Sequence, residues 1–117
     1  MGAPVIHFDI GCRNALKTRK FYESVFGWKT KDAAFNASVD TGSKEGVNGA
    51  ITALGHEPHN YVMIYMDVAD INAACDKIKG AGGKISIGPV EIPGNGGWFA
   101  WFHDPEGNLL GISQKPA

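Results

Sequence analysis

The sequence predicts an α+β fold: two tandem βαβββ modules forming a curled mixed sheet, a half-barrel, with helices on the outer face. Three observations predict it. Strand-period and helix-period segments follow one another in the order β-α-β-β-β, and that order runs through the chain twice. The second round restarts the first, with "HFDI" at residue 7 answered by "MIYM" at residue 63. Two copies at so long a spacing make a duplicated module rather than a solenoid. Finally, each round has one helix, which covers one face of its small sheet and leaves the other face free to curl inward around a ligand. One domain is expected over residues 1–117, with module one at about 4–56 and module two at about 60–115.

In module one, "VIHFDIG" (5–11) alternates, placing Ile6, Phe8 and Ile10 on one face and Val5, His7, Asp9 and Gly11 on the other. "RNALKTRKFYESVFG" (13–27) carries Leu16, Phe21, Tyr22, Val25 and Phe26 near helical spacing, with Gly27 as its stop. The Gly-rich stretch that follows gives short strands over Phe35–Asp40 and Gly49–Leu54. In module two, "YVMIYMDV" (61–68) alternates again. "DINAACDKIKGAGG" (70–83) reads as a helix capped by Asp70 and ended by Gly82-Gly83. "KISIGPVEI", "GWFAWFHD" and "NLLGISQ" supply three more strands, separated by "PGNGG" and "DPEGN" turns.

Hydrophobic content of 44%, charge of 20% and a net charge of −1 describe a globular domain with no pull toward nucleic acid or an anionic membrane. No Lys/Arg cluster points to nucleic acid. No apolar run approaches the roughly 18 residues of a membrane span, and the start lacks the basic and apolar regions of a signal peptide. Cys12 and Cys75 have no zinc spacing and suit a reducing compartment, so a cytoplasmic location is expected.

The helix-side set (Ile6, Phe8, Ile10, Val62, Ile64, Met66, Val68, Leu110 and Ile112) is uniformly apolar and predicts the core. The opposite set mixes His7, Asp9, Tyr61, Tyr65 and Asp67 with Met63 and Gly111, as a pocket for a small organic molecule or a wet outer face would. "GWFAWFHD" is aromatic on both faces, Trp98 and Phe102 on one and Phe99 and Trp101 on the other. Something must therefore cover its second side: the other half-sheet, a ligand or a second chain.

Along nearly the whole chain, "HFDI…KFYESVFGW", "YMDVADINAACDKIKGAGGKI" and "WFHDPEGNLLGI" together resemble the glyoxalase / bleomycin-resistance / extradiol-dioxygenase group, the vicinal oxygen chelate superfamily. The resemblance implies the duplicated fold, dimers, and, in metal-dependent members, four inward ligands. Those positions fall here on His7, on Ala50 or Thr52, on Met63 and on Gly111. One imidazole remains where four donors are needed. Glycine has no side-chain donor, and a thioether suits hard divalent ions poorly. Gly111 is instead expected to widen the floor of the pocket.

The resulting expectation is a metal-free protein with no resident cofactor, binding a hydrophobic or aromatic ligand against His7, Asp9, Tyr61, Met63, Tyr65, Trp98, Trp101 and Gly111, and pairing as a homodimer. The alternative is a glyoxalase-like lyase or isomerase, or a dioxygenase-related enzyme, with a non-standard divalent-metal site around His7, the best catalytic candidate. Asp9 and Asp67 are the carboxylates that such a site would recruit. An accessory domain that binds a protein partner is a third reading. His56 and His59 lie in a loop, and no nucleophile elbow or nucleotide loop appears.

Overall fold

Each predicted helix forms where a cap and a stop bracket it. The computed structural model describes residues 2–33 and 36–117. Among these, eight strands and two helices occur in the order β-α-β-β-β twice. They are β1 (Val5–Gly11), α1 (Ala15–Phe26), β2 (Lys29–Asp32), β3 (Ala37–Asp40) and β4 (Gly49–Thr52), then β5 (Tyr61–Asp67), α2 (Ile71–Gly80), β6 (Lys84–Glu91), β7 (Trp98–His103) and β8 (Leu109–Gln114). Phe35, the expected start of one strand, lies outside the described residues.

Helix α1 begins at Asn14, whose side chain accepts the Lys17 N–H. It ends at Gly27, whose φ of 71° lets its own N–H reach the Glu23 carbonyl. Asp70 caps α2 by accepting the N–H groups of Asn72 and Ala73. Past its last residue the chain turns at Gly82 (φ 97°), and the Gly83 N–H returns to the Ile78 carbonyl at 2.8 Å.

The residues divide into two compact units, Ile6–Met63 and Ile64–Ala117 with the N-terminal residues up to Val5. In the first unit the strand order is β2-β3-β4-β1, antiparallel except for the parallel β4–β1 pair. In the second it is β5-β8-β7-β6, with β5 and β8 parallel. Each unit buries the helix side of its strands. Cys12, Val39 and Ile51 form one core with Phe8, Ile10, Ala15, Tyr22 and Trp28. Ile71, Cys75, Ala100, Phe102 and Ile112 form the other, joined by Met66, Val68, Ile78, Ile85 and Leu110.

Two expectations about packing change. Helix α1 docks through Ala15 and through Tyr22 alone of the predicted stripe: Leu16, Phe21, Val25 and Phe26 are all more than half exposed. Tyr22 dominates because it stacks on Trp28, with ring centroids 5.0 Å apart, and this contact fixes the helix's rotation. The apolar helix-side set is likewise not all core. Val62 is 76% exposed, Ile6 and Ile64 are 39% exposed, and none of the three joins either core cluster.

Candidate functional site

In the N-terminal unit, alternation along β1 sets His7, Asp9 and Gly11 on the face away from α1. The parallel pairing with β4 brings Ala50 beside Asp9 and Thr52 beside Gly11. There the Thr52 hydroxyl donates to Asp9 Oδ1 at 2.7 Å, and the Tyr61 hydroxyl donates to Oδ2 at 3.3 Å. The Tyr61 ring lies over Gly11, so that a Cβ at that position would run into it. Met63, from the same strand as Tyr61, is 2% exposed.

Asp9 is 5% exposed. Burial raises its pKa, and the hydrogen bonds from Thr52 and Tyr61 only partly oppose the rise. Burial also lowers the pKa of the half-buried His7 imidazole. The face thus presents a carboxyl that holds its proton to higher pH than an exposed aspartate, and an imidazole that resists protonation.

The sign of the Asp9 effect is testable. Its folded pKa lies above its unfolded one, so the folded chain keeps a proton that the unfolded chain has lost. Stability attributable to Asp9 therefore falls as pH rises from the ordinary value of 3.8 through the raised one. Asp9→Asn removes this term. The melting temperature of the wild type minus that of Asp9→Asn is expected to decrease between pH 4 and pH 7. A difference that is flat or rises with pH contradicts the assignment.

In the C-terminal unit a second face is built from aromatic rings. The parallel register sets Tyr65 beside Gly111, and the antiparallel one sets Trp101 on the other side of the same glycine. The Tyr65 ring covers Gly111, and the Trp101 indole N–H donates to the Tyr65 hydroxyl at 2.6 Å. Trp101 is 5% exposed. The space over Gly111 is thus filled by a ring, not left open as the sequence reading expected. Trp98 is also set apart. Alternation places it with Ala100 and Phe102 on the face toward α2, opposite Trp101, so the two tryptophans do not share a surface.

An open cleft of about 460 Å³ lies in the N-terminal unit, lined by Ile10, Thr18, Tyr22, Asn60, Tyr61 and Val62 together with Gly11 and Cys12 at the end of β1. Its size is in the range of small-molecule sites. Tyr61 is the one expected pocket residue in its lining, and through that hydroxyl the cleft communicates with Asp9.

The four family ligand positions do not fit a divalent ion. His7 supplies one imidazole. Ala50 has no donor atom, and the Thr52 hydroxyl is committed to Asp9. Met63 supplies a buried thioether, and Gly111 supplies no side chain beneath the Tyr65 ring. Of the two carboxylates expected to be recruited, Asp9 accepts hydrogen bonds at both oxygens, whereas Asp67 pairs through Oδ2 with Lys115 at 3.5 Å and keeps a buried Oδ1 with no hydrogen-bond partner among the described residues. Among the described residues, no three His, Cys, Asp or Glu side chains gather as a metal site. In the loop, His56 Nδ1 contacts the Glu57 carbonyl oxygen and His59 lies 3.9 Å from the Glu57 carboxylate.

Thr52 as the partner of Asp9 could not be read from sequence. The two are 43 residues apart, and only the β1–β4 register brings them together.

Residues 5–112 match the model of the Glyoxalase/Bleomycin resistance protein/Dioxygenase superfamily. A "Glyoxylase-like domain-containing protein" of Didymella fabae is 30% identical over 124 aligned positions, covering 92% of this chain and 91% of that one. The Mycobacterium tuberculosis protein named "Putative glyoxylase CFP32" is 27% identical over 91% of this chain, which spans 43% of that relative's length. Among solved structures, methylmalonyl-CoA epimerase from Mycobacterium tuberculosis superposes with a TM-score of 0.69 at 13% identity, over 97% of this chain and 88% of that one. At that identity the likeness is one of fold.

Proposed function

Because the chain belongs to the Glyoxalase/Bleomycin resistance protein/Dioxygenase superfamily, we propose that it is a small-molecule-binding member that works without a resident metal. Its ligand is a flat hydrophobic or aromatic compound held against the ring surface of Tyr65. The observation that carries this reading is the ring over Gly111. Where metal-dependent relatives need a carboxylate, this chain builds an aromatic wall, tied by the Trp101–Tyr65 hydrogen bond. Such a wall grips apolar rings by stacking and by area removed from water.

The reading includes a cytoplasmic homodimer. The exposed Phe21, Val25 and Phe26 offer α1 an apolar surface for pairing.

Equilibrium dialysis against a panel of flat aromatics, with 2-naphthol and 1-naphthoate as first probes, tests the reading. Saturable binding is expected, weakened about tenfold by Tyr65→Ala, the size of one stacking contact. Equal binding by folded Tyr65→Ala, or none by the wild type, contradicts it.

Asp9 favours a second reading, a lyase or isomerase. A buried carboxyl with a raised pKa, held by two hydroxyls, is equipped to move a proton. Under that reading a bound carbonyl compound is consumed, and Asp9→Asn stops its consumption.

A further inference from the structure

Within the C-terminal unit, a further pair of reactive side chains takes no part in the hydrogen bonds described above. Ser86 sits on β6 between Ile85, which faces Phe102, and Ile87, which faces Trp101. The register shifts between those two, so Ser86 is an extra residue with no partner across β7. A bulge of this kind re-aims a side chain out of the regular alternation. Here it delivers the Ser86 hydroxyl to His103, with Oγ 2.5 Å from Nδ1. Ser86 is exposed and His103 is half-buried at the end of β7, so a reagent from solvent can reach the hydroxyl while the imidazole is anchored. His103 shares the β7 face that carries Phe99 and Trp101.

A serine within hydrogen-bond reach of an imidazole is the minimal arrangement for nucleophilic activation. We propose that Ser86 and His103 form a nucleophile–base pair that accepts an acyl group from an activated carboxylic ester. The tautomer required has Nδ1 unprotonated, so that Ser86 donates and His103 accepts. Ser86 Oγ then bonds to the ester carbonyl carbon while its proton passes to Nδ1. The tetrahedral adduct collapses by breaking the bond between that carbon and the leaving oxygen, which departs with the proton from His103. Ser86 is left as an ester and His103 is neutral again. Hydrolysis repeats the steps with water as the nucleophile and Ser86 as the leaving group. No oxidant, reductant or metal enters.

This pair stands apart from the ligand-binding reading and neither depends on the other. The full chain is incubated with 4-nitrophenyl acetate, release of 4-nitrophenolate is followed, and the acetylated residue is located by peptide mass mapping. A burst approaching one equivalent is expected, with the acetyl group on Ser86. Ser86→Ala abolishes the burst. His103→Asn slows it on the order of 10²-fold, the contribution of a positioned general base. Both variants are checked for unchanged melting temperature, and Ser86→Cys, which keeps a nucleophile in place, retains the burst. No burst in the wild type, acetylation at another residue, or His103→Asn reacting at the wild-type rate each overturns the proposal.

Discussion

Gly111→Glu, which sets a carboxylate where the family resemblance implies a metal ligand, is expected to destabilise the chain by roughly 3–5 kcal/mol and to confer no metal affinity. Two costs combine. The new side chain meets the Tyr65 ring, and overpacking of a filled site costs about 1–3 kcal/mol. The carboxylate would also be taken out of water beneath the Tyr65 ring, which costs about 2 kcal/mol or more. The steric part separates from the charge part in Gly111→Ala, expected to lose about 1–3 kcal/mol. Tyr65→Ala clears the space, so the Gly111→Ala loss should shrink sharply in that background. Urea denaturation of the four proteins measures both. Gly111→Ala as stable as the wild type, or a loss unchanged in the Tyr65→Ala background, means that the ring does not hold the site.

Trp101→Ala should be as costly, about 3–5 kcal/mol, because a side chain that is 5% exposed leaves a cavity in the middle of β7. Tyr65→Phe is the finer probe. It keeps the ring over Gly111 but deletes the hydroxyl that accepts the indole N–H at 2.6 Å, with an expected loss of about 1–3 kcal/mol. Combining Tyr65→Phe with Trp101→Phe removes both ends of the bond. The pair should then cost less than the sum of its parts. Strict additivity in the denaturation midpoints would show that the bond contributes nothing.

The order of elements was legible because its signals are local. Asp70 and Gly27 mark helix ends through their own hydrogen bonds, and strand alternation needs only neighbouring residues. Helix rotation was not legible. Phe21 and Val25 look like core residues by type, yet stacking of Tyr22 on Trp28 turns α1 so that they face out. The role of Gly111 was half legible. Its missing donor is plain from the sequence, but only the β5–β8 register shows that a tyrosine occupies the space. The Ser86–His103 contact depends on a register shift in β6, which strand periodicity cannot reveal. Trp98 and Trp101 fall on opposite faces by simple alternation. Which of those faces α2 covers was decided by tertiary packing.

The proposed function rests on the aromatic wall over Gly111, where the family resemblance implies a metal ligand. Its most direct test is a thermal-shift titration of EDTA-stripped protein with Mg, Mn, Fe(II), Co, Ni and Zn. The account predicts no rise in melting temperature with any of them, since binding to the native state alone would raise it. A saturable rise that His7→Ala abolishes would contradict the account and place a rebuilt metal site at His7.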